Sequence, residues 1–397
     1  MRISIIFILL ITIISCSRNQ DDILRLYGGK ITDTEENETI EQAININVTE
    51  TIVGYFHKKD IQGDKDYYLL TLPDERASYK MVLSPVSGID SRISVYTKEN
   101  RLLYTIDAGS VGEAEKLWDI KATNGNEVII VIESKNGSNE VTPYIVNFIN
   151  NGIDSRIEKE PNNITEEAEL IGIPGVRRGY ISPANDKDCF RIQGSDTIKE
   201  FNLRVETLSN LDVAIKITTE STGLSRIIDR FGWGGDEFIN YIATTNSDYI
   251  IEITGKIKSD DIGDPLYYIH IDEIISKDNK YFEREFNDSF ENSSIMINNS
   301  TVIGMIYPEN DKDYFVFDTI YDNGSLILSL SPVKGLNTKI ELLNENKQVI
   351  DYSDNNGIDG GEELGVNRLT KGRYYVRVSA GEGASPLSYD LYFDIRY

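Results

Sequence analysis

Three stretches of this chain repeat one pattern, and that repetition constrains the fold more than any other feature. Glu158-Lys159-Glu160-Pro161-Asn162-Asn163 recurs as Glu283-Arg284-Glu285-Phe286-Asn287-Asp288, and the same spacing separates Gly54, Gly179 and Gly304. A weaker version opens at Asp33, Glu35 and Asn37. Downstream in each stretch stands an Asp-x-Asp pair, at Asp64/Asp66, Asp186/Asp188 and Asp311/Asp313. The repetition predicts three tandem domains, at residues 33–150, 157–274 and 282–397.

Within each copy, apolar and polar residues alternate with a period of two. Leu326, Leu328 and Leu330 share one face, whereas Tyr389 and Leu391 flank Asp390. This alternation is typical of half-buried strands, and the 23 tyrosines and 13 phenylalanines favour β-structure. Short helical pieces are expected only around residues 164–170 and 289–296. The sequence therefore predicts an all-β chain of three tandem β-sandwich domains.

The N-terminus has the features of an export signal. Met1-Arg2 precedes a short apolar stretch that ends at Ser15-Cys16, and it is too short for a transmembrane helix. Residues 13–16 resemble the lipobox of bacterial lipoproteins, which implies cleavage before Cys16 and lipidation of Cys16. The predicted signal peptide is then 1–15, followed by a lipidated tether at 16–32. The expected location is the bacterial cell envelope, lipid-anchored to a membrane and either periplasmic or surface-exposed. The alternative is an ordinary secretory signal with an incidental cysteine.

Charge and composition argue against several classes of function. The formal net charge is −25, from 65 acidic and 40 basic residues, so nucleic acid is not an expected partner. With only two histidines and two cysteines, the chain has little from which to build a histidine-dependent catalytic site or a Cys/His zinc site. Hydrolysis by two carboxylates alone stays open, because such a pair carries no sequence signature. We expect a protein without catalytic activity.

The repeated motifs together resemble a known family. Glu-x-Glu-Pro-Asn-Asn, an apolar strand ending in glycine, Asp-x-Asp before an aromatic strand and Gly372-Arg373-Tyr374-Tyr375 are similar to the bacterial pre-peptidase C-terminal domain, a relative of the clostridial collagenase collagen-binding domains. The resemblance is best in the third copy and weakest in the first. It implies a jelly-roll-like sandwich, and calcium at the N-terminal segment in the collagen-binding members. The chain differs from that family's usual context because it has no peptidase domain.

Oxygen ligands recur at the same relative places in the three copies, which predicts calcium as a cofactor. The candidate ligands are Glu283, Glu285, Asn287, Asp288, Asp311 and Asp313 in the third copy; Glu158, Glu160, Asn162, Asn163, Asp186 and Asp188 in the second; and Asp33, Glu35, Asn37, Asp64 and Asp66 in the first. The charge count ranks the third copy as the strongest binder, then the second, then the first. The alternative is a polar linker followed by an ordinary turn.

One aromatic loop is a candidate ligand-binding surface. Trp233 and Phe231 lie among glycines between two strands, and loops at the ends of a sandwich often carry binding residues. The alternative is that Trp233 folds back to cap the sandwich. Cys189 stands where the other copies have tyrosine, and we expect a small apolar substitute rather than a reactive thiol.

The expected function is a non-catalytic, membrane-anchored lipoprotein that presents calcium-stabilised sandwiches for binding. The membrane, through the lipid anchor, is the expected partner, together with an extracellular matrix protein, a polysaccharide or an envelope protein. The competing interpretation is a structural spacer or assembly scaffold with no ligand of its own.

Overall fold

The protein is all-β. The computed structural model describes residues 30–31, 36–58, 64–73, 77–120, 126–183, 185–244, 246–257, 265–276 and 279–397. Within these ranges the helical structure consists of three short 3-10 turns, Ile40–Gln42, Thr165–Glu167 and Phe290–Asn292. The last two lie where the sequence predicted short helical pieces. None of the helices in the described ranges has the length and apolar character needed to cross a membrane.

The first domain is a sandwich of two five-stranded sheets. Its strands are β1 (Lys30–Ile31), β2 (Ile44–Asn47), β3 (Ile52–Phe56), β4 (Lys65–Thr71), β5 (Ala77–Leu83), β6 (Asp90–Thr97), β7 (Leu102–Ile106), β8 (Glu115–Ile120), β9 (Glu127–Asn136) and β10 (Asn139–Ile153). The sheet orders are β1-β3-β10-β5-β8 and β2-β4-β9-β6-β7. Alternate residues of both sheets point inward into one apolar core, as the period of two requires. Strand β10 runs past the predicted domain end at 150.

The second domain repeats this arrangement with one strand fewer. Its strands are β11 (Glu169–Leu170), β12 (Gly175–Tyr180), β13 (Lys187–Ile192), β14 (Glu200–Thr207), β15 (Leu211–Thr219), β16 (Ser225–Ile228), β17 (Glu237–Ala243), β18 (Tyr249–Ile257) and β19 (Leu266–Ile274). The sheet orders are β12-β19-β14-β17 and β11-β13-β18-β15-β16. An isolated bridge from Ile157 to Arg178 replaces the first strand, and the two sheets enclose a core of their own.

The third domain again has two five-stranded sheets. Its strands are β20 (Lys280–Phe282), β21 (Ser294–Ile295), β22 (Ser300–Gly304), β23 (Lys312–Thr319), β24 (Gly324–Leu330), β25 (Asn337–Asn344), β26 (Val349–Ser353), β27 (Glu362–Leu369), β28 (Gly372–Glu382) and β29 (Tyr389–Arg396). The sheet orders are β20-β22-β29-β24-β27 and β21-β23-β28-β25-β26. Equal strand order in the three domains places equivalent residues at equivalent ends of each sandwich, with a separate core in the third as well.

Candidate metal centre

In the second and third domains the acidic segment lies beside the start of the strand that carries the Asp-x-Asp pair, and in the first domain Asn37 does so. In the third domain the chain crosses from β20 in one sheet to β21 in the other, and Glu283, Glu285 and Asn287 lie on that crossing. The amide of Tyr314, the residue after Asp313, donates to the Asn287 carbonyl at 3.0 Å. The same bond occurs in the other domains, from Cys189 to Asn162 and from Tyr67 to Asn37. The two sequence clusters therefore meet in space.

A buried tyrosine lies directly over a glycine at this end of each sandwich. A Cβ atom on the glycine would come within 2.3 Å of the tyrosine Cζ. The three pairs are Gly54 with Tyr144, Gly179 with Tyr267, and Gly304 with Tyr389. The tyrosine ring occupies the space that a Cβ atom would need, so only glycine fits at this recurring position.

The same tyrosine holds the second aspartate of the Asp-x-Asp pair. In the second domain the Tyr267 hydroxyl lies within hydrogen-bond distance of two buried carboxylates, 2.7 Å from Asp188 Oδ2 and 2.9 Å from Glu158 Oε2, and its single proton can be donated to either. In the third domain Tyr389 lies 2.6 Å from Asp313 Oδ2 and 3.2 Å from Glu283 Oε2. Tyr144 contacts Asp66 Oδ2 at 2.7 Å. The alternating pattern placed Tyr389 on a strand but did not indicate that its hydroxyl contacts the paired aspartate.

The second domain gathers a set of buried oxygen ligands. Glu158, Glu160 and Asp188 each place one carboxylate oxygen within 4.8 Å of the others, which no other His, Cys, Asp or Glu trio in the described ranges achieves. Asn162 is fully buried beside them, and its Oδ1 has no hydrogen-bond partner; Asp188 Oδ1 has none either. Buried polar atoms are rarely left unpaired. Unpaired oxygens among carboxylates are what a hard cation such as calcium binds.

Burial and mutual repulsion shape the charges at these sites. Burial raises the pKa of the Asp188 carboxyl well above its usual value, and the charges of Glu158, Asp186 and Glu160 raise it further. In the third domain, burial followed by the charge of Glu285 raises the pKa of Glu283 to about 8. Carboxylates forced together away from water must be protonated or be neutralised by a cation.

The third domain has an internal cation at its cluster. Arg226, from strand β16 of the second domain, places Nη1 3.0 Å from Glu285 Oε2. Its Nη2 donates to Asp288 Oδ1 at 3.0 Å and to Asp311 Oδ1 at 2.9 Å. The Arg226 side chain is only 13% exposed. Three of the six predicted calcium ligands of this domain therefore surround a guanidinium, while Asn287 Oδ1 and Asp313 Oδ1 keep no hydrogen-bond partner.

The remaining predicted ligands are placed only in part. In the first domain, Asn37, Asp64 and Asp66 are buried, and both polar side-chain atoms of Asn37 are without a hydrogen-bond partner. Asp33 and Glu35 lie outside the described residues, as does the predicted lipidation residue Cys16. In the second domain Asp186 is 4% exposed, and the buried Oδ1 of Asn163 has no hydrogen-bond partner.

Equivalent positions on two edge strands, β7 and β16, carry different residues towards the next domain. Arg226 lies opposite Ile217 in the β15–β16 pair, and Tyr104 lies opposite Val95 in the matching β6–β7 pair. Tyr104 is 3% exposed and hydrogen-bonds Glu160 of the second domain. Burial first, then the charges of Glu160 and Asp186, raises its pKa well above the usual value. One junction thus presents a neutral phenol to the next domain's carboxylates, and the other presents a permanent cation.

The two residues of the aromatic loop have different environments. Phe231 packs near Phe238, with ring centroids 6.2 Å apart, and near Tyr307 of the third domain at 6.5 Å. The Phe238 and Tyr307 rings stack at 5.4 Å. Phe231 therefore contributes to the junction between the second and third domains, although 39% of it stays exposed. Trp233 is 44% exposed. Both candidate ligand-binding residues thus present aromatic surface to solvent, and Phe231 also contacts the next domain.

Cys189 lies in strand β13 and is fully buried. Burial raises the pKa of its thiol to about 11, partly opposed by Lys187. A thiol with this pKa is almost entirely protonated at neutral pH and is a poor nucleophile. This environment suits the expected role as a small apolar replacement for tyrosine.

A buried glutamate that the repeated motifs did not indicate anchors one loop in each domain. Glu362 accepts hydrogen bonds from the amides of Asn355 and Asn356, both at 2.9 Å, and from the Ser353 hydroxyl at 2.6 Å. Its equivalents are Glu237, which accepts from Arg230 and Phe231, and Glu115, which accepts from Ala108 and Gly109. The available signal was a glutamate recurring at the start of equivalent strands, β8, β17 and β27. In the second domain this glutamate holds the loop that presents Trp233.

Comparison with known proteins gives only weak similarities. No protein-family model and no curated protein matches the chain. The chain is similar to the pre-peptidase C-terminal domain of collagenase from Bacillus anthracis, with 17% identity and a TM-score of 0.22, over 26% of this chain and 94% of that one. It is also similar to a candidate secreted protein from Eubacterium rectale (11% identity, TM-score 0.22, 64% of this chain and 84% of that one). A third similarity is to the Sulfolobus turreted icosahedral virus (9% identity, TM-score 0.22, 87% and 90%). These values carry no argument about function, and the fold assignment rests on the strands themselves.

Proposed function

We propose that this chain is a non-catalytic lipoprotein of the bacterial cell envelope that presents calcium-stabilised β-sandwich domains for binding a protein or a polysaccharide. The pre-peptidase-like motifs and the lipobox of the sequence support the domain type and the anchor at Cys16. The observation that carries the calcium part is the buried second-domain set with two unpaired oxygens, Asn162 Oδ1 and Asp188 Oδ1.

The second domain is the proposed calcium centre. Glu158, Glu160, Asp188 and Asn162 supply hard oxygen donors, and calcium takes six to eight of these from carboxylates, carbonyls and water. This proposal gives the second domain the highest calcium affinity, whereas the count of charged ligands in the sequence ranked the third domain first. The reason is that Arg226 already neutralises Glu285, Asp288 and Asp311 in the third domain. A bound cation would offset the burial, and after it the repulsion from neighbouring carboxylates, that raise the pKa of Asp188.

Calcium titration of the soluble chain 17–397 should reveal one bound ion, with a dissociation constant of about 0.1–1 mM. A calcium concentration about 100 times the dissociation constant should stabilise the second domain by about 2.7 kcal/mol. Asp188→Asn should weaken binding at least tenfold, because it removes a charged ligand. Isothermal calorimetry and the melting temperature with calcium or chelator are the measurements.

Asp196→Asn is the matched control, since Asp196 is an exposed aspartate of the same domain, and it should titrate like the wild type. An absence of both heat and melting shift in the wild type would refute the calcium centre. So would an Asp188→Asn chain that binds calcium normally.

Trp233 is the proposed contact for the binding partner. Exposed aromatic side chains are frequent hot spots, and Glu237 holds this loop in one conformation. On a panel of glycans, collagen and peptidoglycan, Trp233→Ala should weaken binding about thirtyfold, the effect of a 2 kcal/mol hot spot. The control is Ile358→Ala, in the corresponding loop of the third domain, where Ile358 is 61% exposed.

A second candidate function is a spacer, and the contacts between domains favour it. The Tyr241 hydroxyl hydrogen-bonds Ser388 at 2.6 Å, and the Glu285 amide donates to the Tyr241 carbonyl at 2.9 Å. Such contacts hold neighbouring domains in a fixed relation, as a rigid stalk requires. If the wild type binds no member of the panel, the spacer becomes the better explanation.

A further inference from the structure

An open cleft, here called the junction cleft, lies where the second and third domains meet, and its volume is about 710 Å³. Ligand sites usually measure about 300–1,000 Å³ and occur preferentially where domains adjoin. The second domain supplies the β15–β16 turn and the loop before β18, and the third supplies residues 284–286 and Asn292. The junction cleft therefore exists only in the assembled pair of domains. The Trp233 loop follows β16, whereas the turn at the cleft precedes that strand.

Part of the lining of the junction cleft is apolar, and both domains contribute to it. Leu224 is 43% exposed and Ile198 is 51% exposed, and Phe286 of the third domain packs against the second-domain core. The Tyr249 hydroxyl donates to the Ala243 carbonyl at 2.8 Å, so Tyr249 contributes ring surface to the cleft. A ligand that fits this cleft needs an apolar face.

Three polar side chains of the lining keep their hydrogen-bonding groups for a ligand. Ser221, Asn246 and Asn292 are exposed, and within the described ranges their side chains make no hydrogen bond. A hydroxyl group and a carboxamide group can each both donate and accept a hydrogen bond. Such groups match a ligand whose own polar groups also do both, as sugar hydroxyls do.

The charges of the lining balance one another. Glu285 lines the cleft, but its side chain is only 2% exposed and its Oε2 lies 3.0 Å from the Arg226 guanidinium. The two exposed charged residues of the lining, Arg284 and Asp196, have opposite signs. Because a charged ligand requires a complementary excess of charge, this lining favours a neutral one.

An extended peptide fits the junction cleft less well than a sugar chain. Peptides that add to a sheet pair with the unpaired backbone of an edge strand. At β17 this edge is bridged by the third domain, because the Glu285 amide donates to the Tyr241 carbonyl at 2.9 Å and Glu285 forms a β-bridge with Ile242. The groups left for a ligand are side-chain amides and a hydroxyl.

We propose that the junction cleft binds a neutral polysaccharide, with the C–H face of a sugar ring against the apolar lining and its hydroxyls bonded to Ser221, Asn246 and Asn292. This inference rests on the polysaccharide-binding part of the proposed function and names a neutral sugar as the ligand. It depends neither on the calcium centre nor on Trp233.

Contacts between the two domains hold the junction cleft in shape before a ligand arrives. The Arg226 side chain is paired with three third-domain carboxylates, and the rings of Tyr241 and Phe282 stack at 5.1 Å. The Arg230 guanidinium lies 3.9 Å from the centre of the Tyr307 ring. A preformed site does not have to be ordered by its ligand, which lowers the free-energy cost of binding.

Saturation-transfer NMR and calorimetry on chain 17–397 test the junction cleft with four neutral probes. These are cellohexaose, maltohexaose, mannohexaose and the hexamer of N-acetylglucosamine. At least one should bind with a dissociation constant of about 1 mM or tighter. Hexagalacturonate, an acidic probe, should bind at least about tenfold more weakly, because the chain carries a formal net charge of −25.

Leu224→Arg should abolish binding, because the longer side chain fills the cleft and adds an unbalanced charge. Val349→Arg is the matched control, since Val349 is 45% exposed at the start of β26, and it should bind like the wild type. Asn246→Ala combined with Asn292→Ala should weaken binding about tenfold, because each amide hydrogen-bonds the sugar. Melting temperatures equal to that of the wild type show that the variants fold.

The outcomes distinguish this inference from the proposed function. If all four neutral probes fail to bind, the inference is overturned, and the protein-binding part of the proposed function still stands. Binding that survives Leu224→Arg but is lost in Trp233→Ala places the sugar at the Trp233 loop, which supports the proposed function and overturns the inference. Binding that is lost in Leu224→Arg and kept in Trp233→Ala supports the junction cleft. A preference for hexagalacturonate would contradict a neutral ligand.

Discussion

Gly304→Ala is expected to destabilise the third domain by about 3 kcal/mol, the upper end of the usual cost of overpacking a buried site. The new Cβ would lie 2.3 Å from Tyr389 Cζ and 2.6 Å from Glu283 Oε2. The ring cannot swing away, because it is fully buried and its hydroxyl lies against two carboxylates. Urea titration followed by hydrogen exchange of third-domain peptides measures the loss.

Gly365→Ala is the matched control for this change. Gly365 lies in strand β27 of the same domain, and a Cβ at this position meets no atom within 4 Å. Its substitution should change stability by no more than about 0.5 kcal/mol. Equal effects of the two alanines would contradict the role of the tyrosine ring.

Glu362→Ala is expected to cost the third domain about 3 kcal/mol. The change leaves the Asn355 and Asn356 amides and the Ser353 hydroxyl without their acceptor, and an unsatisfied buried polar group costs about 1–3 kcal/mol. Water that enters the loop should hydrogen-bond some of these groups and so reduce the total loss of stability. Glu363→Ala is the control, because its side chain is exposed on the same strand. A similar loss in both variants would rule out the anchor.

The pH dependence of stability gives an independent check on Glu362. Burial alone would raise its pKa, but hydrogen bonds from Ser353, Asn355 and Asn356 outweigh burial and hold the pKa below the usual value of 4.5. A carboxylate with a depressed folded-state pKa adds stability that is complete above the unfolded pKa and disappears as pH falls through the folded one. The Glu362→Ala chain should therefore lose less stability than the wild type between neutral pH and about pH 3.

The sequence alone was enough for the all-β class, because strands buried on one face must alternate apolar and polar residues. It also indicated which acids come together, because the acidic motif recurs in the copies, as Glu283 and Glu285 in one and as Glu158 and Glu160 in another. In the structure these residues lie where the chain crosses from one sheet to the other. The sequence showed that a glycine recurs at the same spacing, but it did not show why that position requires glycine. The tyrosine ring above Gly304 belongs to the last strand, and only the closed sandwich brings the two together.

Contacts between domains were decided by the tertiary structure. A comparison of the repeats reveals only the residues that the copies share. Tyr104 and Arg226 occupy the same structural position but are different residues, so the comparison did not identify them. Nothing near Arg226 in the chain marks it as a partner of Asp311, because its acids come from the following domain. The sequence determined the ligands available in each domain. The packing of the second sandwich against the third places the Arg226 guanidinium in the third-domain cluster. This contact could not be predicted from the sequence, because a buried charge requires an oppositely charged partner and that partner comes from the neighbouring domain.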